Sequence, residues 1–297
     1  MLKGIFFSIF ASSAFGFLYF YTSFLSIFNG HQAFAWRIIA LFPFLTLLLI
    51  LVNQTSLILN IFHRIFRQPL FFLFLLISAL LCGVQLWLFM WGPMNGRGLQ
   101  VSLGYFLLPI ILSLVGRVFF KEPISKIQLI ALCLSIIGVA HEIITIGSIS
   151  WECLTVAFGY SLYFVIRKKL KTDHLGGFWW DIFLLLPVSF LIISIYHFNF
   201  RQFLEQPTLI FLVINLGLIS SLALGSYMLA SKYLPMILFG LLSYIEPILL
   251  LIVSLLIGEK LNITQLLTYI PIWIAVFLLC IEGLLFLCKN KTPNINN

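Results

Sequence analysis

The stretch FAWRIIALFP at residues 34–43 recurs, slightly altered, as FWWDIFLLLP at residues 178–187. The same displacement of 144 positions carries the triplet LYF at residues 18–20 onto LYF at residues 162–164. Both longer stretches lie in apolar runs, and a Trp and a Pro stay in register between them. Two segments that share one displacement indicate two related halves, a construction typical of many secondary transporters.

Composition predicts the class of protein. Of the 297 residues, 62% are hydrophobic and only 9% are charged, which differs strongly from the composition of a soluble domain. A chain of this kind has too many apolar side chains to bury them in a water-soluble core. We therefore predict an all-α integral membrane protein that has the lipid bilayer as its surroundings.

Ten apolar runs are long enough to cross a bilayer as helices. They lie at residues 4–28, 33–52, 69–92, 97–119, 125–145, 150–167, 176–197, 207–231, 235–257 and 264–287. Five spans in each half make the second half enter the membrane from the opposite side. The prediction is ten transmembrane helices in two inverted-topology five-helix repeats, residues 1–146 and 147–289, followed by a disordered cytoplasmic tail at residues 290–297.

The charge distribution predicts the orientation, because Lys and Arg accumulate in short cytoplasmic loops. With the N-terminus inside, most of the 17 basic residues become cytoplasmic. These are Lys3, Arg64, Arg67, Arg117, Lys121, Lys126, Arg167, Lys168, Lys169, Lys171, Lys232, Lys289 and Lys291. Both termini are then cytoplasmic. The net charge of +8 reflects this orientation rather than a surface for nucleic acid.

The motifs of soluble enzymes and of cofactor sites do not occur in the sequence. It has no dinucleotide-binding glycine pattern and no phosphate-binding loop. The five cysteines show no spacing typical of metal ligands. We therefore expect no cofactor, no metal and no enzymatic activity. An intramembrane enzyme is the most distant alternative, and it would bring catalytic groups within hydrogen-bonding reach of one another.

Three charged residues stand out inside the predicted spans, where lipid penalises them. Arg37 and Asp181 occupy equivalent positions of the two repeats, and Glu246 lies near the centre of the ninth span. Such residues usually face a cavity or a partner, since a charge at the bilayer centre costs about 2.5–3.5 kcal/mol on insertion scales. Two interpretations of Arg37 and Asp181 stay open: gate residues of opposite charge, or anchors that reach the lipid headgroups.

Glu246 precedes Pro247, and Pro109 lies at a matching depth in the fourth span. A proline inside a helix leaves a backbone carbonyl without its amide partner, and helix breaks of this kind form the substrate sites of many transporters. Ordinary kinks in membrane helices are the alternative. A carboxyl group in hydrocarbon is hard to ionise. Glu246 is therefore predicted either to contact a cationic group of the substrate or to carry a coupling proton.

Aromatic side chains on the predicted spans are candidates for the wall of a cavity, where they stack on a solute and hydrogen-bond to it. Tyr19 and Tyr163 are related by the repeat, and Tyr105 and Tyr244 lie on the two proline-bearing spans. These four are favoured. The wider set of aromatic candidates also includes Trp87, Trp91 and Tyr227.

Several short segments resemble the RarD-type branch, with EamA-type halves, of the drug/metabolite transporter superfamily. They are residues 102–106 with Pro109, 167–169 after Tyr163, 185–188, 244–247 and 258–259. The resemblance implies a permease of the bacterial inner membrane. It also implies that Arg37, Asn95, Asp181 and an acid near Glu282 belong to the functional positions.

Together these observations predict a permease that moves a small organic metabolite or drug across the inner membrane by alternating access. The partners are then a small-molecule substrate, with proton coupling as an option, and the bilayer; no nucleic acid is expected. The alternative is a flippase for a lipid-linked carrier. A flippase should present a polar cavity that opens sideways to lipid, whereas a solute carrier should close its cavity laterally.

Overall fold

Hydrogen bonding within each apolar run organises the chain, because a helix satisfies its own N–H and C=O groups without water. The structure, a computed structural model, describes residues 2–25, 27–95, 97–146, 150–196, 201–249, 267, 270–275, 277–278 and 281–282. The helices are α1 (Leu2–Thr22), α2 (Gly30–Leu51), α3 (Ser56–Arg67), α4 (Pro69–Met94), α5 (Gly98–Phe119), α6 (Lys126–Ile146), α7 (Trp151–Leu170), α8 (Leu175–Ile195), α9 (Arg201–Glu205), α10 (Pro207–Tyr233) and α11 (Met236–Leu242). Among these residues there is no β-strand.

Six of the described helices are long and apolar enough to cross a membrane, namely α1, α2, α4, α6, α8 and α10. Large apolar side chains cover the outer faces of this bundle, among them Phe6, Phe190 and Phe211. Lipid accommodates such a surface and water does not. The prediction of an all-α, multi-pass membrane protein is confirmed. Most of the tenth predicted span, the motif at residues 258–259 and the tail at residues 290–297 fall outside the described residues.

Helix α3 was not predicted, since its residues were assigned to a connection between two spans. Its sequence, SLILNIFHRIFR, places apolar residues on one side and polar residues on the other. Ile61 is buried on the inner side. The Arg64 guanidinium lies 3.9 Å from the centre of the Phe71 ring and donates to the Leu170 carbonyl at 3.0 Å. α3 is therefore an amphipathic helix fastened to the ends of α4 and α7.

Helices α4 and α10 begin with the same dipeptide, Gln68-Pro69 and Gln206-Pro207. Proline suits the first helical position, because its missing N–H would have no partner there. These pairs are 138 positions apart rather than 144. The connection at residues 52–68, which holds α3, is six residues longer than the one at residues 196–206, which holds α9. The difference in length accounts for the change in displacement.

The two ends of the bundle differ in chemistry. At one end Arg64 of α3 meets Leu170, the last residue of α7, and we call this the basic end. At the other end Trp91 of α4 lies 6.2 Å from Trp151 at the start of α7, measured between ring centres. We call this the aromatic end. The long helices α1, α2, α4, α5, α6, α7, α8 and α10 run between the two ends in alternating directions.

Close backbone packing joins α2 to α10. A Cβ atom at Gly217 would collide with the carbonyl oxygen of Ala40. Only glycine permits this approach, since any other side chain would push the helices apart. The contact fixes the distance between α2, which carries Arg37, and α10.

Candidate functional site

A small enclosed cavity lies between the helices, and we call it the central cavity. Its lining residues are Phe15, Arg37, Leu86, Phe89, Tyr105, Tyr160, Tyr227 and Glu246. The interior has room for about one water molecule. Two residues that carry opposite formal charges therefore face a nearly closed chamber whose walls are mostly aromatic.

Arg37 reaches the cavity from the second turn of α2 and is fully buried. Its Nε donates to Ser220 Oγ of α10 at 3.0 Å, and its guanidinium lies 5.0 Å from the centre of the Phe89 ring. Within the described part of the chain, Nη1 and Nη2 have no hydrogen-bond partner. The side chain is thus held in one orientation by Nε while its two terminal nitrogens stay available.

Glu246 enters the cavity just after a helix interruption. α11 ends at Leu242, the backbone turns at Ser243 and Tyr244, and helical structure resumes from residue 245. Pro247 has no N–H to give to the Ser243 carbonyl, which instead accepts the N–H of Glu246 at 3.2 Å. The interruption turns the Glu246 side chain to the cavity, where it is 5% exposed.

Arg37 and Glu246 share the cavity without forming an ion pair. The ion pairs found between described residues, with N···O distances up to 4.0 Å, are Arg97–Glu152, Arg167–Asp181 and Lys168–Glu122. The guanidinium and the carboxyl group of the cavity are therefore more than 4 Å apart. Each lacks the counter-charge that a buried charge usually has.

Aromatic rings fill the space around the two groups. Tyr105 meets Phe89 edge to face, with ring centres 6.1 Å apart and planes at 89°. Tyr160 lies 6.1 Å from Tyr105. Tyr227 approaches Ser243 with a distance of 3.5 Å between the two hydroxyl oxygens. These rings present both π faces and hydroxyl groups to the cavity.

A second polar group, the Arg167 cluster, consists of Arg167, Asp181 and Tyr163 and lies toward the basic end. Arg167 Nη1 is 2.6 Å from Asp181 Oδ2, and Tyr163 donates its hydroxyl proton to the same oxygen at 2.9 Å. Arg167 and Asp181 are 1% and 0% exposed. This is a buried, hydrogen-bonded ion pair, so its two charges compensate each other.

The turn between α7 and α8 positions this pair. Lys171 ends α7 in the left-handed region with φ 56°, and the His174 carbonyl accepts Arg167 Nη2 at 2.8 Å. The His174 ring accepts the Gly177 N–H at 3.2 Å and so caps α8. Burial and the positive charges of Arg167 and Lys232 lower the pKa of His174 to about 4. The ring is therefore neutral near pH 7, as this capping role requires.

Glu122 ties three elements together at the basic end. Its Oε1 accepts Lys168 Nζ at 2.8 Å and the Met236 N–H at 3.0 Å, and its Oε2 accepts the Ile237 N–H at 3.0 Å. Burial opposes ionisation of the carboxyl group, but these donors hold the pKa of Glu122 below its ordinary value. An ionised carboxylate thus caps the N-terminus of α11, where helix dipoles favour negative charge.

The aromatic end carries an ion pair of its own. Arg97 Nε lies 2.6 Å from Glu152 Oε1, with Arg97 43% exposed and Glu152 buried. Asn95, an expected functional position, is exposed beside this pair and donates Nδ2 to the Trp91 carbonyl at 2.8 Å. Its contact is that of a residue at the end of α4.

The structure brings Arg37, Tyr105, Tyr227 and Glu246 into one cavity and leaves the other predicted residues elsewhere. Tyr163 and Asp181 form the Arg167 cluster, and Tyr244 is buried in a separate apolar group with Phe106 and Ala131. Tyr19 is half-buried on α1 and does not line the central cavity.

Burial argues against the anchor interpretation of the repeat-related charges, and the gate interpretation stays a prediction. Arg37 and Asp181 are both 0% exposed, so neither reaches the headgroups as an anchor. Pro109 also differs from the prediction of a helix break, since α5 continues through it from Gly98 to Phe119. A proline removes one backbone hydrogen bond, and the bonds on either side are enough to hold the helix here.

Two important residues were missed from the sequence, Tyr160 and Arg167. Tyr160 lies three positions before Tyr163 and Arg167 lies four positions after it, so all three share one face of α7. That spacing was a usable signal. Arg167 was instead assigned to the cytoplasmic charges, because two lysines follow it directly.

A larger groove opens on the outer surface between α2, α4 and α8, with a volume of about 590 Å³. It is lined by His31, Phe34, Leu80, Gly83, Val84, Trp87, Leu185, Val188 and Ile192. The only polar ring nitrogens in this lining belong to His31 and Trp87, and Trp87 Nε1 donates to His31 Nδ1 at 3.0 Å. The groove is therefore apolar. In the described residues no group of His, Cys, Asp and Glu has the arrangement of a metal site.

The sequence is similar to transporters over nearly its whole length. It is 42% identical over 284 residues to an uncharacterised transporter of Pasteurella multocida, covering 96% of this chain and 97% of that protein. It is 38% identical over 277 residues to the chloramphenicol-sensitive protein RarD of Pseudomonas aeruginosa, covering 93% of both. A solved crystal structure with 14% identity shares the fold with a TM-score of 0.63, covering 94% of this chain and 98% of that one. No family model matches the chain.

Proposed function

Since the chain belongs to the RarD family of transporters, we propose that it is a secondary permease of the bacterial inner membrane. It moves a small organic solute by alternating access and binds that solute in the central cavity. One observation carries this proposal: the buried residues Arg37 and Glu246 face the same cavity and are not paired with each other. Groups of this kind are available to a solute.

The energetic cost of burying Arg37 supports a functional role for this residue. A buried arginine within a membrane helix is costly, and the cost reaches about 2.5–3.5 kcal/mol at the helix centre on insertion scales. Arg167 offsets its own cost by pairing with Asp181. Arg37 has only Ser220 and the Phe89 ring as partners among the described residues. In a permease, the transported solute can serve as the missing partner of the Arg37 guanidinium while it is bound.

Two inverted repeats provide the proposed route to alternating access. Trp36 of α2 packs on Phe203 of α9, with ring centres 5.0 Å apart. The repeat-related Trp180 of α8 packs on Phe62 of α3, at 6.3 Å. Each half thus places its tryptophan on the connecting helix of the other half. This reciprocity supports a pseudo-two-fold arrangement, in which rocking of one half against the other opens the cavity to one side at a time.

The proposed orientation places the basic end and both termini in the cytoplasm, following the positive-inside rule. Single cysteines in a cysteine-free background test it in intact cells. Lys169→Cys should not react with an impermeant thiol reagent, whereas Gln202→Cys should react, because they lie at opposite ends of the bundle. Permeabilised cells provide the control, in which both variants should react. The reverse pattern in intact cells would contradict the orientation and the inverted repeats together.

The flippase alternative is less well supported by the surface of the bundle. A flippase for a lipid-linked carrier needs a polar path that opens sideways to lipid. The groove between α2, α4 and α8 opens sideways but is apolar, and the charged residues lie in the enclosed cavity. Because the charged residues line the enclosed cavity and not the groove that opens sideways, the arrangement favours a solute carrier. An intramembrane enzyme is disfavoured by the transporter relatives.

Glu246→Gln tests the proposed site, since it keeps the shape of the side chain and removes the negative charge. Ligands are first found by their thermal stabilisation of the purified protein, using a panel of amino acids, amines, carboxylic acids and chloramphenicol. Transport of the ligands is then measured in proteoliposomes. We expect gradient-driven uptake and solute exchange to fall together, by at least about tenfold, because the loss of a charged hydrogen bond costs about 1.5–3 kcal/mol.

The pattern of loss separates the two roles of Glu246. Loss of gradient-driven uptake with intact exchange would make it the carrier of a coupling proton, and weaker binding would make it a recognition group. Glu205→Gln, at an exposed position of α9, is the matched control for removing a carboxylate outside the cavity. Wild-type uptake and exchange in Glu246→Gln would contradict the proposed site.

A further inference from the structure

The central cavity offers one basic and one acidic side chain to the same occupant. We propose that the solute is a small zwitterion of the α-amino acid type, whose carboxylate binds Arg37 and whose ammonium group binds Glu246. Its apolar body lies among the aromatic rings. This inference rests on the proposed function, because it names the substrate class of that same site.

The hydrogen bonding of Arg37 favours a carboxylate. Ser220 Oγ accepts a hydrogen bond from Nε at 3.0 Å, and both terminal nitrogens are left without partners among the described residues. Nη1 and Nη2 form the end of the guanidinium fork, whose spacing matches the two oxygens of a carboxylate. A cation would be repelled by this group, and a single hydroxyl group would satisfy only one of its nitrogens.

The charge balance of the cavity requires a second charge on the solute. A carboxyl group this buried is hard to ionise on its own, and an ammonium group beside it favours the ionised form, which accepts hydrogen bonds and cannot donate them. A solute with only a carboxylate would pair with Arg37 and bring a second negative charge close to Glu246. A solute with only an amine would leave Arg37 uncompensated. Because an unpaired buried charge is costly, a zwitterion fits both groups best.

The separation of the two side chains is compatible with a bridging solute. Arg37 and Glu246 line one cavity but are more than 4 Å apart, since they form no ion pair. A molecule that binds between them therefore contacts both side chains without first breaking an ion pair. In an α-amino acid one carbon atom separates the two charged groups, so a short bridge of this kind suffices.

The aromatic lining indicates the chemistry of the uncharged part of the solute. Phe89, Tyr105 and Tyr160 surround the charged groups with rings, and Phe15 and Tyr227 complete the wall, with ring centres 5.7 Å apart. Such surfaces favour apolar or aromatic groups through stacking and burial of apolar area. The closed cavity has room for about one water molecule, so these rings must separate when the solute enters.

Three related probes test the inference by calorimetric binding to the full-length protein in lipid nanodiscs. L-Phenylalanine carries both charges, phenethylamine lacks the carboxylate, and 3-phenylpropionate lacks the ammonium group. We expect phenylalanine to bind at least about tenfold more tightly than either of the others, since each charged contact contributes about 1.5–3 kcal/mol. Equal binding of all three probes, or tighter binding of a singly charged probe, would overturn the proposal.

Variants then assign each charge to its residue. Arg37→Gln should remove the preference for phenylalanine over phenethylamine, and Glu246→Gln should remove its preference over 3-phenylpropionate. Arg67→Gln, at an exposed position of α3, should keep both preferences. If another solute is transported in a way that depends on Arg37 and Glu246 while phenylalanine is not preferred, the substrate class is wrong and the proposed function stands. Solute transport that persists in both cavity variants would contradict the proposed function itself.

Discussion

Arg37→Met should reduce transport at least about a hundredfold and leave the protein as stable as the wild type, or more stable. The guanidinium is fully buried, and no ion pair between described residues includes it. Replacing an uncompensated buried charge by an apolar side chain of similar length relieves its desolvation cost. Initial transport rates in proteoliposomes and the melting temperature of the purified protein give the two measurements.

The opposite signs of the two effects make this a sharp test. A purely structural arginine would lose stability and activity together when it is replaced. Arg67→Met, at an exposed position of α3, is the matched control and should change neither quantity. A lower melting temperature for Arg37→Met with wild-type transport would make Arg37 part of the scaffold rather than of the solute site.

Asp181→Asn should destabilise the protein by about 3–5 kcal/mol, although Asp181 is the repeat counterpart of Arg37. The substitution leaves the Arg167 guanidinium buried without its counter-charge, and breaking a buried pair from one side has about this cost. The Tyr163 hydroxyl also loses the ionised acceptor that it contacts at 2.9 Å. Denaturant or thermal unfolding in detergent, compared at one pH with the wild type, measures the loss.

A second substitution in the same pair provides the control. Arg167→Met combined with Asp181→Asn removes both charges, so the double variant should recover most of the lost stability. The cycle of two single variants and the double variant isolates the coupling energy. Additive effects would show that the two side chains do not stabilise each other, and the account of the Arg167 cluster would then be wrong.

The positions of the helices followed from the sequence because length and hydropathy act locally. The apolar runs at residues 33–52, 69–92 and 207–231 correspond to α2, α4 and α10 within a few residues. α3 was missed because an amphipathic helix lacks a continuous apolar run, although the apolar residues Ile58, Ile61 and Ile65 follow a helical period.

The site was only partly predictable, because it depends on contacts between distant segments. Arg37 and Glu246 were identified one by one from the cost of a charge in a membrane, but nothing local in the sequence indicates that they face each other. The repeat even suggested equal roles for Arg37 and Asp181. Their environments differ because Asp181 has Arg167 on the preceding helix, whereas the Ser220 hydroxyl that meets Arg37 carries no charge.

The small size of the central cavity also bears on the leakage of protons through the protein. Protons cross a protein along continuous files of water, and a space for about one water molecule is too short for such a file. The positive charge of Arg37 adds an electrostatic barrier to any cation at the same depth. In this closed conformation the central cavity therefore offers protons no continuous file of water. For the proposed permease we expect a low proton leak in this state, so that the protein does not dissipate the proton-motive force while it is idle.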